Sequence, residues 1–155
     1  MGANGFVDID LSATRKQKIR IDGDDNRILE LDTADMNIVV RLRDGFEKLE
    51  KLIDQITNLQ VSDTGDIKTD ISEMGTVIED IDKQMRNALD EIFDANVSEV
   101  CAPTGSMYDL FNGEYRFEHI INALTKLYEN NLDKEYAKMK RRVQKHTDKY
   151  VKQKG

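Results

Sequence analysis

Two runs of apolar residues spaced three and four apart, with one short polar stretch between them, constrain this chain more than any other feature. In the first, "LDTADMNIVVRLRDGFEKLEKLIDQITNLQ" (residues 31–60), Val39, Leu42, Phe46, Leu49, Ile53 and Ile56 keep to one face of a helix. Leu52 and Leu59 widen the stripe, which suits a bundle core better than a two-stranded coil. Asp32 or Thr33 is placed to cap this helix, with Asp35 in its first turn, where the helix dipole favours negative charge. Gly45 inside the pattern costs about 1 kcal/mol relative to Ala, so a kink or a close packing contact is expected there. The stretch "VSDTGDIK" (residues 61–68) reads as a loop. A second helix follows, capped near Thr69 or Asp70, with Glu73 completing a capping box from Asp70. Its apolar residues are Ile71, Met74, Ile78, Ile81, Met85, Ala88 and Ile92. A short loop between two matching seams predicts an antiparallel helical hairpin.

The rest of the chain arranges itself around that hairpin. In "KQKIRIDGDDNRILELD" (residues 16–32), Ile19 and Ile21 alternate with polar residues, a Gly-Asp-Asp-Asn turn follows, and Ile28, Leu29 and Leu31 come next. This predicts a β-hairpin. Asp22, Asp24 and Asn26 imitate the start of a calcium loop, but Arg27 and Thr33 stand where that loop needs glycine and glutamate. A plain turn is the expectation. In "FDANVSEVCAPTGSMYDLFNGEY" (residues 93–115) the helical period breaks. Pro103 and Gly105 predict a turn, Ser106 with Asp109 a capped short helix, and Asn112-Gly113 its end. A third helix over "YRFEHIINALTKLYENN" is expected to bury Phe117, Ile120, Ile121, Leu124 and Leu127. Asn130-Asn131 weakens it, and Asp133 is placed to cap a last helix with Tyr136, Met139, Val143, His146 and Tyr150 on one side.

Charge is divided unevenly. Residues 134–155 hold nine Lys or Arg against two acids, while the rest holds fourteen basic and twenty-eight acidic side chains. The basic end therefore carries +7 and the body -14, for a net of -7. Three uses of the basic helix compete. Its charge suits phosphates, but the acidic body would repel a polyanion. A membrane-surface role is poorly served by a thin, tyrosine-rich apolar side without Trp or Leu. Docking on an acidic protein surface, this chain's own or another subunit's, fits best, and a merely solvated charged face is its bland counterpart.

Little chemistry is written in the residues. A glycine-rich phosphate loop, a Cys-x-x-Cys pair and a second histidine at metal-ligating spacing are all missing from the sequence. His119 falls beside an apolar helix face, where a packed or hydrogen-bonded role is expected. Cys101 paired with either histidine is the one nucleophile reading available, but a lone cysteine beside Pro103 reads as small and buried. It cannot form an internal disulfide, so a reducing cytoplasm is the default. The opening "MGANGFVDID" lacks the pattern of a signal peptide, Phe6 breaks a myristoylation motif, and no apolar run is long enough to cross a bilayer. No enzymatic activity, cofactor or metal is expected.

The order of these pieces resembles a known family. "IRIDGDDNRILELDTADMNIVVRLRDGFEKLEKL" is similar to the opening of the tail assembly chaperones of long-tailed bacteriophages and prophages of Gram-positive hosts. That family has a Gly-Asp strand turn, then Leu-Asp-Thr-x-Asp opening a helix that carries Arg-Leu. "DEIFDANVSEVCAPTGSMYDLFNGEYRFEHIINAL" resembles the family's segment after the helical hairpin, with Asp94 in place of the glycine after Phe93. The terminal "KRRVQKHTDKYVKQ" resembles its basic tail. The resemblance implies a protein that binds the long, helix-rich tape-measure protein, keeps it soluble, helps major tail proteins assemble around it, and leaves before the virion is finished. In many such phages a frameshift makes a longer second form.

The expected architecture is mainly α: a helical bundle built on a long antiparallel helix hairpin, with a small N-terminal β-hairpin and a basic C-terminal helix. One domain spans 1–155, divided into the hairpin segment 1–32, the helical core 33–131 and the basic helix 132–155. The expected partners are the tape-measure protein, the major tail protein and further copies of this chain, in the cytoplasm of an infected or lysogenic host and outside the mature virion. Neither a membrane nor nucleic acid is the favoured partner. Partner contact is expected at Phe111, Tyr115, Phe117 and Ile121, and at Lys138, Arg141, Arg142, Lys145 and Lys149. The alternatives are a nucleic-acid-binding regulator that uses the basic helix, and a structural tail subunit of the virion.

Overall fold

Alternation in the first apolar segment produces a strand pair. The computed structural model describes residues 5–11, 16–57 and 67–154, with the backbone alone at 67–70 and 146–154. Strand β1 (Gln17–Arg20) pairs antiparallel with β2 (Ile28–Leu31), placing Ile19 opposite Leu29. Leu29 and Leu31 point into the core while Ile28 points out, as the twofold side-chain period requires. Asp22 and Gly23 take the left-handed conformation that turns the chain. The side chains that imitate a calcium loop serve this turn. Asp22 pairs with Arg27 at 3.0 Å, and the Asp24 carboxylate accepts the Asn26 N–H at 2.9 Å.

Helix α1 (Ile38–Thr57) starts later than Asp32 or Thr33 would place it. Asp32 accepts the Ala34 N–H at 3.2 Å, and Asp35 accepts the Asn37 N–H at 2.9 Å. These two successive side-chain turns compete with helix formation and delay it. Thr33 is buried. The core stripe is also rotated from the expected one. Ile38, Gly45, Leu49 and Leu52 are buried, with Leu42, Ile53 and Ile56 along its edge, whereas Val39 and Phe46 face outward. Gly45 is the cause: Ile92 of the next helix sits against its bare backbone. With position 45 turned inward, Phe46 is carried about 100° round to the outside. Gly45 thus makes close packing within a continuous helix.

Helix α2 (Ile67–Phe93) lies antiparallel to α1. Gly45 meets Ile92, and Lys48 pairs with Glu91 at 2.7 Å. The helical hairpin therefore forms as the two seams predict. Of the loop expected at 61–68, residues 61–66 lie outside the described residues, and Ile67 and Lys68 already belong to α2. The helix is already formed at Ile67, so Thr69 and Asp70 lie within it instead of capping it. Ile81, Met85, Ala88, Leu89, Ile92 and Phe93 are buried, while Ile71, Met74 and Ile78 are not.

Past Phe93 the chain turns at Asp94, whose φ is +50°, so the tight turn is kept without the glycine. A short helix α3 (Val97–Cys101), unforeseen in the sequence, follows. Asp90 fixes it by accepting the Ser98 backbone N–H at 2.8 Å and hydroxyl at 3.0 Å. The capped helix expected at Ser106 is instead a turn, in which Asp109 accepts the Ser106 N–H at 3.0 Å. A small hairpin comes next, β3 (Leu110–Phe111) paired with β4 (Glu114–Tyr115). Asn112 and Gly113 are both left-handed, with φ of +52° and +79°. Two positive φ values in succession define a hairpin turn rather than a helix end.

Helix α4 (Arg116–Lys154) runs for 39 residues without the break expected at Asn130-Asn131 or a cap at Asp133. Two asparagines cost about 0.5–0.7 kcal/mol each in a helix, too little to stop one flanked by strong helix formers. The first turns bury Phe117, Ile120, Ile121, Leu124 and Tyr128, with Leu127 at the margin. Tyr128 packs on Phe93 with ring centroids 6.0 Å apart, and the Tyr136 hydroxyl lies 3.9 Å from the Met36 sulfur. Helix α4 thus runs antiparallel to α1 and continues past its N-terminal end. From Asp133 to Lys145 every residue is exposed.

Candidate partner-binding surface

Arginines donate to backbone carbonyls at and beyond the ends of α2 and α3, where helix-end carbonyls run short of intrahelical donors. Arg41 donates to the Ile92 carbonyl at 2.6 Å. Arg27 reaches the Val100 and Cys101 carbonyls at 2.8 and 2.9 Å. Arg86 donates to the carbonyls of Ser98 at 3.2 Å, Ala102 at 2.8 Å and Gly105 at 2.8 Å. Arg116 holds the Thr104 carbonyl. The five donors of a guanidinium suit this task. Asp82 completes the frame. One of its oxygens accepts from Arg86 at 2.9 Å and the other takes the Met107 N–H at 2.7 Å. Among the described residues, no buried side-chain nitrogen or oxygen is left without a hydrogen bond.

This frame anchors the β3–β4 hairpin. The first N–H groups of α4 donate to it: Arg116 to the Asp109 carbonyl at 2.8 Å and Phe117 to the Met107 carbonyl at 2.9 Å. Met107 is fully buried. Against that support, Leu110 and Phe111 are 69 % and 78 % exposed. They border a concavity of about 740 Å³ whose other walls include Tyr115, Arg116 and His119. A second, shallower groove of about 270 Å³ lies between α1 and α4, with Phe46, Ile53, Glu118 and Asn122 on its walls. The two flank the first turns of α4.

The expected contact residues divide into three groups. Phe111 is presented to solvent. Tyr115 is half-buried and stacks on Phe117 with centroids 5.6 Å apart. Phe117 and Ile121 belong to the core, each 2 % exposed, so as packed they hold the fold and offer a partner almost no surface. Their place in the seam of α4 dictates this. Lys138, Arg141, Arg142 and Lys145 are exposed along the outer half of α4. Lys149 lies on the same helix, and its side chain falls outside the described ones.

Chain comparison adds no relative. No family model, no curated protein and no solved structure matches this sequence. The site rests on its own geometry.

His119 is not packed against the apolar face as expected. Its side chain is 79 % exposed, 3.7 Å from a Glu114 carboxylate oxygen. Cys101 is half-buried, and burial pushes its thiol up to about 11, which keeps it protonated and poorly nucleophilic at neutral pH. Burial likewise raises Tyr128 to about 12. Among the described residues, no group of three His, Cys, Asp or Glu side chains is placed to hold a metal ion. Nor is any described helix long and apolar enough to cross a membrane.

Leu110, Met36 and Val40 are exposed contact candidates that sequence reasoning missed. A signal was present for two of them. Leu110 precedes Phe111-Asn112-Gly113, and Asn-Gly beside apolar residues is a hairpin signature. Ile38, Val39 and Val40 are consecutive, and no helix can turn three consecutive side chains to one side.

Proposed function

We propose that this protein is a non-enzymatic tail assembly chaperone of a long-tailed phage or prophage. Its work is to hold amphipathic helices of the tape-measure protein in the host cytoplasm until the tail tube closes around them. The observation that carries the reading is the exposure of Leu110 and Phe111 on an anchored hairpin beside an open concavity. Exposed apolar groups on a rigid support are suited to binding, because little further ordering is needed when a partner arrives. An apolar groove flanked by Arg116, His119 and Glu114 matches the seam and polar margins of an amphipathic helix. The resemblance in sequence order supplies the identity of that helix. Phe46 and the second groove lengthen the surface available to it.

Co-expression with the tape-measure protein of the same phage or prophage tests the reading. A soluble complex of the two chains is expected, and Leu110→Ser with Phe111→Ser should release the tape-measure protein into the insoluble fraction. A tape-measure chain that stays insoluble with either form would defeat the proposal.

A second reading is favoured by the exposed run of Lys138, Arg141, Arg142 and Lys145. That reading is a nucleic-acid-binding regulator, and it predicts a salt-dependent gel shift with short DNA or RNA. A structural virion subunit, in contrast, would be found in purified particles.

A further inference from the structure

We propose that this protein associates with copies of itself, the acidic outer turns of α2 in one copy receiving the basic outer half of α4 in the next. The inference does not depend on the chaperone reading, because it concerns the protein alone.

Two helical arms leave the shared core, and they leave it at opposite ends. Among the described side chains of α2, burial begins at Ile81; no residue from 71 to 80 is buried. Helix α4 is buried as far as Tyr128, and from Asp133 to Lys145 all of it is exposed. The directions follow from the contacts. Phe117 and Ile121 lie beside Phe46 and Ile53 in the middle of α1, Tyr128 meets Phe93 at the end of α2, and Tyr136 reaches Met36 ahead of α1. Helix α4 therefore travels toward the Phe93 end and past it. Residues 71–80 sit at the other end of α2, about 20–30 Å back along its axis at 1.5 Å per residue. The basic arm points away from them and cannot fold onto them within one chain.

The arms match in surface. On α2, Ile71 is 61 % and Val77 38 % exposed, with Met74 and Ile78 half-buried beside them. Exposed Glu73, Glu79 and Asp80 flank these residues. On α4, Tyr136, Met139 and Val143 step at three and four, and are 43 %, 43 % and 53 % exposed. Lys138, Lys140, Arg141, Arg142 and Lys145 surround them. Each arm thus shows a narrow apolar stripe between charged margins, and the margins have opposite sign. The sequence around each arm keeps that sign. Residues 58–80 contain six acids and one lysine, a net of -5, against +7 for residues 134–155. Opposite potentials on two amphipathic helices align them and steer their encounter, while the stripes supply the dry contact. Because the patches differ and lie at opposite ends, one copy can hold two neighbours.

Sedimentation velocity on the full chain tests this. At about 50 mM salt the weight-average mass should rise above the monomer with concentration, and at about 500 mM the association constant should fall by roughly tenfold or more. Reversing one arm with Lys138→Glu, Arg141→Glu and Arg142→Glu should give a monomer at low salt. Reversing the other with Glu73→Lys, Glu79→Lys and Asp80→Lys should do the same. Mixing the two variants restores one complementary pair at each junction, so association should return. All six positions are exposed, and circular dichroism checks that both variants fold. Should either fail to fold, the salt series on the unaltered chain decides. A wild-type monomer at both salts overturns the proposal. So does a folded triple variant that associates like the wild type, or a mixture of folded variants that stays monomeric.

Discussion

Gly45 of α1 lies directly under Ile92 of α2, and a Cβ at position 45 would overlap the Cγ1 and Cδ1 atoms of that side chain. The contact sets both the approach of the two helices and the rotation that puts Phe46 outside. Ala is the better helix former by about 1 kcal/mol, yet forcing atoms into a filled contact costs about 1–3 kcal/mol. Gly45→Ala should therefore destabilise the protein by about 1 kcal/mol, a fall in Tm of roughly 2–4 °C for a chain of this size. Adding Ile92→Val, which removes Cδ1, should recover part of the loss. That non-additivity, read by thermal unfolding of both single variants and the pair, is the signature of direct contact. Additive losses would place the cause elsewhere.

Arg86 ties α2 to the carbonyls of Ser98, Ala102 and Gly105 while paired with Asp82. Truncating it strips the part-buried Ala102 carbonyl and Asp82 carboxylate oxygen of their donor, while the Ser98 carbonyl keeps the Ala102 N–H. Arg86→Ala should cost about 2–4 kcal/mol in urea unfolding, since each stranded buried group is worth about 1–3 kcal/mol. Arg86→Lys keeps the charge but not the fork, so it should recover less than half of that loss. Hydrogen exchange should localise the damage to amides 97–107, around the Met107 N–H that Asp82 holds.

These arginines also mark where reading the sequence stops. The helical hairpin, the first β-hairpin and the buried face of Phe117, Ile120, Ile121 and Leu124 were legible, because periodicity and turn chemistry are local signals. The bonds from Arg27 to Val100 and Cys101 span more than seventy positions of sequence, and no local pattern encodes them. The rotation of α1 was hidden for a related reason. Counting every three-four step admits two faces, and only the packing of Ile92 on Gly45 chooses between them. At residues 106–115 a local rule was present but misapplied. Asn-Gly serves both a helix end and a hairpin turn, and the outcome depends on the strand partners at Leu110 and Tyr115. The contact residues were half legible: an apolar residue in a seam reads the same whether it is buried, like Ile121, or shown, like Phe46.

Asp94 holds a positive φ at the exit from α2. Glycine enters that region without strain, and aspartate enters it more easily than most residues. Asp94→Gly should leave stability unchanged or raise it by up to about 1 kcal/mol. Asp94→Val, β-branched at the same backbone angle, should lower it by about 1–3 kcal/mol. Guanidinium unfolding of the two variants checks the order; a Val variant as stable as the Gly variant would refute it.

Alkaline pH should loosen the fold in two stages. Burial raises the Cys101 thiol from 9.0 to about 11 and the Tyr128 phenol from 10.0 to about 12. For both groups the native state favours the protonated form. Their contribution is complete below the unfolded value and disappears as pH climbs through the folded one. Tm should thus decline between about pH 9 and 11 on account of Cys101, and further between about pH 10 and 12 on account of Tyr128. Tyr128→Phe should flatten the upper limb, and Cys101→Ser the lower. At pH 8 the thiol should react with a disulfide reagent far more slowly in the native protein than in urea.

Phe111 and Phe117 stand six positions apart and should answer substitution in opposite ways. Phe117 is 2 % exposed and stacks on Tyr115, so Phe117→Ala should cost about 3–5 kcal/mol and weaken binding only by unfolding the chain. Phe111 is 78 % exposed. Phe111→Ser should change stability by less than about 0.5 kcal/mol. If the hairpin is the contact surface, the same change should weaken capture of a tape-measure helix by roughly tenfold or more, since truncating a central aromatic anchor commonly costs about 2 kcal/mol. Unfolding curves and fluorescence-anisotropy titration on one preparation separate the two effects. Full binding by a stable Phe111→Ser variant would move the contact away from the hairpin, with the groove beside Phe46 next to be tested by Phe46→Ser.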